Sequence, residues 1–130
     1  YDAGLLKWKN MANDEIKKSL ETSKKLLELV GENGFDKENL EKLFLEKAGG
    51  DRGALLWPLR VSLSGKKASP GPFEIMEILG QKTSILRINL AIDKLRQGQT
   101  EKAGNAIIAT AISLFCFVIL LGFTFQFKID

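Results

Sequence analysis

The chain has 130 residues, enough for one modest core, and a formal charge of +3. It contains no histidine, which excludes Ser-His and Cys-His nucleophile pairs, the commonest general base and most zinc sites. The single cysteine, Cys116, excludes an intrachain disulfide and suits a reducing cytoplasm, and the charge is too small to hold the chain on nucleic acid by itself. No catalytic and no metal-binding residues are therefore expected, and any nucleic-acid contact has to be a local site. The sequence begins at Tyr1 without a signal-peptide pattern, and is read as a piece of something longer.

In chain order, residues 13–30 place Ile16, Leu20, Leu27 and Val30 at helical spacing with lysines on the other faces. Asn13 is the expected cap, Asp14 and Glu15 suit the positive first turn, and Gly31 ends the helix. A second helix starts near Asp36, carries Leu40, Leu43, Phe44 and Ala48, and stops at Gly49-Gly50. The apolar run Ala54 to Leu63 contains Pro58, which predicts a kinked helix ending at Gly65, with the kink fixing where Arg60 points. Residues 64–72 are rich in turn formers and predict a loop.

Pro72 suits the first turn of a fourth helix bearing Phe73, Ile75, Met76 and Leu79, with Gly80 as its stop. A fifth runs from about Thr83 to Arg96 along Ile85, Ile88, Ile92 and Leu95. The expected fold is all-α: a small bundle of about five helices over residues 1–97, then a linker over 98–105 and a hydrophobic tail over 106–130.

The tail has three readings. Ala106 to Phe125 is 20 residues without a charge, about 30 Å as a helix and so the span of one transmembrane helix. Phe123, Phe125, Phe127 and Ile129 alternate with polar residues, which suits a half-buried strand. A non-native extension is the third reading. With Arg96 and Lys102 before the segment and Lys128 after it, the positive-inside rule would keep the helical domain cytoplasmic.

Function concentrates in "LLWPLRVSLSGKKASPGPFEI", Leu55 to Ile75. Arg60 offers a planar fork of donors for a base edge or a phosphate. Lys66 and Lys67 can meet a phosphate backbone. Ser69, Pro70, Gly71 and Pro72 supply a hydroxyl, two flat rings and a close approach to the backbone, which suits unstacked RNA bases. The alternative is structural: an arginine offsetting a helix dipole, and a rigid connection. Trp57, among Leu55, Leu56 and Leu59, is expected in the core rather than as a stacking platform.

The run "LLWPLRVSLSGKKASPGPFEIMEILG", Leu55 to Gly80, resembles the end of the anticodon-binding region of bacterial-type glutamyl-tRNA synthetases, which are class I enzymes. A Pro-Leu-Arg, a Leu-Ser-Gly and a Pro-Gly before an apolar helix recur there at this spacing. "LLKWKNMANDEIKKSLE" and "ILRINLAIDKL" resemble the same family, so the likeness covers residues 1 to about 96. The resemblance implies a tRNA anticodon-loop binding module, with Arg60, Ser69, Pro70 and Pro72 against anticodon bases and tRNA(Glu) as partner. Position 72 is often leucine in relatives; Pro72 keeps apolar contact but gives up a backbone donor.

The family's HIGH-type signature needs histidine, which this chain lacks, and no KMSKS-like run occurs. The chain alone is thus expected to be catalytically inactive and to hold no cofactor, with ATP and Mg belonging to the parent enzyme. A monomer in the cytoplasm is expected, with membrane contact through 106–125 as an added feature. The competing reading is a small tail-anchored helical membrane adaptor with no RNA role; a gene remnant is the third.

Overall fold

The computed structural model describes the backbone of residues 1–126 and side chains as far as Gly122. Four helices follow a short 3-10 turn at Ala3–Leu6: α1 (Asn13–Leu29), α2 (Lys37–Lys47), α3 (Arg52–Ser64) and α4 (Pro72–Gln126). A second 3-10 turn, Glu32–Gly34, joins α1 to α2. There is no strand among the described residues, so the all-α expectation holds. The helix count differs from five because the expected fourth and fifth helices follow one another without a loop. A single non-helical residue, Gly80, separates them (φ 78°, ψ 169°), a conformation open to glycine but costly for residues with a Cβ.

The chain divides into two units, Tyr1–Arg96 and Gln97–Asp130. In the first, the apolar stripes meet in one core. Ile16, Leu20, Leu26 and Leu27 of α1 are buried there with Leu40 and Phe44 of α2, Leu55, Leu59, Val61 and Leu63 of α3, and Met76, Ile88 and Ile92 of α4. Phe44 and Phe73 meet edge to face at 5.8 Å, a favoured geometry for aromatic pairs. Buried Ser23, Ser62 and Ser84 donate to nearby helix carbonyls, those of Ser19, Leu59 and Gly80, so no hydroxyl goes unsatisfied in the core.

The caps explain the boundaries. Asp36 caps α2, accepting from the Asn39 N–H at 2.9 Å, and Asp51 caps α3 through the N–H groups of Gly53 and Ala54. The cap of α1 differs from expectation: Asn13 is the first helical residue and Ala12 the cap. Alanine has no acceptor to offer, and the anchoring bond comes instead from the Ala12 N–H to the Glu15 carboxylate at 2.8 Å, the returning half of a capping box. α3 ends at Gly65, whose left-handed φ of 68° lets its N–H reach the Val61 carbonyl.

Pro58 lies inside α3 and cannot donate to the Ala54 carbonyl one turn earlier. That carbonyl accepts the Ser19 hydroxyl of α1 instead, at 2.8 Å. The proline's defect has become a tie between α1 and α3.

The second unit is helical through Gln126. Residues 98–105, expected as a linker, lie in helix: the stretch has no proline, and single glycines at 98 and 104 cost only about 1 kcal/mol each. The alternating segment keeps a helical backbone from Phe123 to Gln126, against the strand reading, and has no partner strand among the described residues. Phe127 to Asp130 lie outside the described residues. The apolar helix is long enough to cross a membrane, with a window of mean hydropathy 2.3, none of it buried.

Candidate nucleic-acid interface

Three ties, at the start, middle and end, fix the helix α3 that carries Arg60. At its start, Asp51 gathers the Trp8 indole N–H and the Lys9 ammonium, each at 3.3 Å, in addition to its capping bonds. Partial desolvation pushes the Asp51 carboxyl up, but the bonds from Lys9, the Ala54 N–H and Trp8 outweigh it and hold the carboxyl below its usual range. In the middle, Ser19 holds the freed Ala54 carbonyl. At the end, the Arg87 guanidinium of α4 donates to the Leu63 carbonyl, supplying a partner to the C-terminal turn.

Trp57 is partly buried against the core, as expected, but its ring also serves as a platform. Its indole N–H donates to the Leu5 carbonyl at 2.9 Å and its ring lies 5.4 Å from that of Trp8. The Arg60 guanidinium stands over the Trp57 ring, its central carbon 5.2 Å from the centroid, within cation–π range. One Arg60 amino group donates to the Lys67 carbonyl at 2.7 Å. Arg60 therefore reaches the loop after its own helix and ties that loop's backbone to α3. Its Nε is buried without a hydrogen-bond partner among the described residues, so any donors open to a ligand are those of the terminal amino groups that the Lys67 bond leaves over.

The loop is shaped by its own polar groups. The Ser64 hydroxyl lies 2.9 Å from the Arg60 carbonyl and 3.1 Å from the Lys66 N–H, and the Ser69 hydroxyl 3.1 Å from the Pro70 carbonyl. Lys66, Lys67, Pro70 and Gly71 are exposed and Ser69 half-buried. Pro72, grouped with them from sequence, is buried as the first residue of α4; its locked φ suits that position and its missing N–H costs nothing there. Arg60 is thus tied to the loop that carries Lys66, Lys67, Ser69, Pro70 and Gly71, and Pro72 is buried where that loop enters α4.

The first turn of α4 is secured from below. Glu74 accepts from Lys37 at the start of α2, where the ammonium is 2.7 Å away. The Lys37 bond and charge hold the Glu74 carboxyl below its usual range, and Glu74 holds the Lys37 ammonium above its own. No acidic residue occurs between Asp51 and Glu74, so the segment carrying the loop is locally basic. A cleft of about 240 Å³ beside Gly65 has Arg87 and Lys94 in its wall, which extends the basic character past the loop.

Helical periodicity carries no signal for Arg87, Trp8 or Gln81. The Gln81 amide spans the Leu27 and Val30 carbonyls at 2.7 and 2.9 Å, closing the end of α1 from 54 and 51 residues away. Among the described residues there is no His, Cys, Asp or Glu group able to hold a metal ion.

A helical domain that offers a locally basic loop at a helix end, with an arginine laid on a tryptophan beside it, has the features of an RNA-loop binder. The chain belongs to the anticodon binding domain family, whose profile matches residues 1–92. It is 38% identical over 105 residues to a glutamate-tRNA ligase of Clostridium acetobutylicum, covering 75% of this chain and 21% of that protein. The glutamate-tRNA ligases of Clostridium kluyveri (38% over 86 residues, 62% of this chain and 18% of that protein) and Clostridium tetani (33% over 103 residues, 74% and 20%) are similar too. The chain spans about a fifth of the length of these relatives. No solved structure matches it.

Proposed function

We propose that residues 1–96 bind the anticodon loop of tRNA(Glu) and contribute tRNA recognition to glutamylation by a glutamate-tRNA ligase. The observation that carries this reading is the Arg60 guanidinium, stacked on Trp57 and bonded to the Lys67 carbonyl, which joins the end of α3 and the basic loop into one edge. Arg60 is pre-oriented there, with donors left for a base edge, while Lys66 and Lys67 would meet phosphates and position the loop. Ser69, Pro70 and Gly71 would lie against splayed bases, and the buried Pro72 would hold their backbone in place. The chemistry belongs to a catalytic domain that uses ATP and Mg, and the setting is the cytoplasm.

Substitution in the full chain, kept in mild detergent, tests this reading. Arg60→Ala is expected to weaken binding of a tRNA(Glu) anticodon stem-loop by about 1 to 3 kcal/mol. Lys67→Ala is expected to lower the slope of log affinity against log salt by about 1. An Arg60→Ala chain that binds as well as the parent would contradict the assignment.

A further inference from the structure

The second unit carries a feature that RNA binding does not use. Leu114, Phe115, Phe117, Val118, Ile119 and Leu120 are each between 55% and 68% exposed. Successive residues advance about 100° around an α-helix, so these six cover its whole circumference rather than one stripe. A protein groove, or a second copy of this helix, covers one stripe and leaves the remaining apolar faces in water. A medium that surrounds the helix covers all of them.

The dimensions fit such a medium. Ala106 to Phe125 holds 20 residues without a charge, about 30 Å of helix and the thickness of a bilayer's hydrocarbon core. The Thr110 hydroxyl donates to the Ala106 carbonyl at 2.9 Å, satisfying itself within the helix as a hydroxyl in hydrocarbon has to. None of the apolar window is buried against the described residues. A signal sequence precedes the domain it directs, whereas this helix follows one.

We infer that the helix over residues 106–125 inserts into a lipid bilayer and ties the anticodon-binding domain to a membrane. The inference stands apart from RNA binding, since its readout is lipid association alone. The test is cell-free synthesis of the full chain with vesicles of phosphatidylcholine and phosphatidylglycerol, followed by flotation through a density gradient. The chain is expected to float with the vesicles and to stay with them in about 1 M salt, where charge attraction is screened within about 3 Å. Phe115→Arg combined with Ile119→Arg, near the middle of the segment, is expected to cut the floated fraction about tenfold or more. A chain that stays in the aqueous fraction, as a monomer or as an assembly of its own copies, would overturn the inference. So would release by high salt, or flotation unaffected by the two arginines.

Discussion

At Gly53 one methyl group decides whether Trp8 can stay in place. A Cβ there would stand 2.2 Å from Trp8 Cε2 and 2.4 Å from Cζ2, and the ring cannot retreat without leaving Asp51 and the Trp57 face. Gly53→Ala is therefore expected to destabilise the domain by about 1 to 3 kcal/mol, the usual range for overpacking, read from the denaturation midpoint. Charge acts at this scale as well. Glu74 and Asp51 titrate below the ordinary carboxylate range when folded, so the unfolded chain binds more protons in acid. Their contribution is complete above the ordinary value of about 4 and is lost as pH falls through the lowered folded values. Lys37, raised by Glu74, gives the opposite limb: its contribution is lost only as pH rises through its raised value. The urea midpoint is expected to fall between about pH 6 and about pH 3, and less steeply in Glu74→Gln. Because both groups are exposed, the change is small.

At the level of helices, α3 owes its anchorage to a residue that ordinarily breaks helices. Pro58 frees the Ala54 carbonyl and Ser19 takes it up. Ser19→Ala is expected to cost about 1 to 3 kcal/mol, because the carbonyl is left unpaired. In a Pro58→Ala background the restored N–H takes over the carbonyl, and the same change should cost markedly less; a double-mutant cycle of unfolding free energies measures the coupling. Equal costs in both backgrounds would show that the carbonyl does not carry the tie. The helices themselves were legible in sequence, because Ile16, Leu20 and Leu27, or Leu40 and Phe44, recur at the helical period that their burial demands. The joints were less so. Gly80 was readable as a stop, but that one residue suffices for the break depends on its φ of 78°. The polar run at 98–105 looked like a linker because polarity and glycine mark loops only on average.

Over the whole domain, the candidate site was half legible. Arg60 and the Ser-Gly-Lys-Lys-Ala-Ser-Pro-Gly stretch stand out by residue type and order, and the Arg60–Lys67 bond ties the arginine to that stretch. That Arg60 is tied to the Lys67 backbone, that Pro72 is buried, and that Arg87 reaches the end of α3 depend on how the helices pack. No local pattern encodes a bond between residues 24 positions apart. The stability of the edge is a property of the assembly: Trp8, Trp57, Asp51 and Arg60 form a chain of contacts from the N-terminal segment to the loop. The central claim, that this edge reads an anticodon loop, is tested most directly by measuring the full chain's affinity for two RNA hairpins with the same stem. One carries the anticodon loop of tRNA(Glu) and the other a scrambled loop. The account predicts that the first binds at least about tenfold tighter, with both affinities falling as salt rises. Equal affinity for the two loops would contradict it.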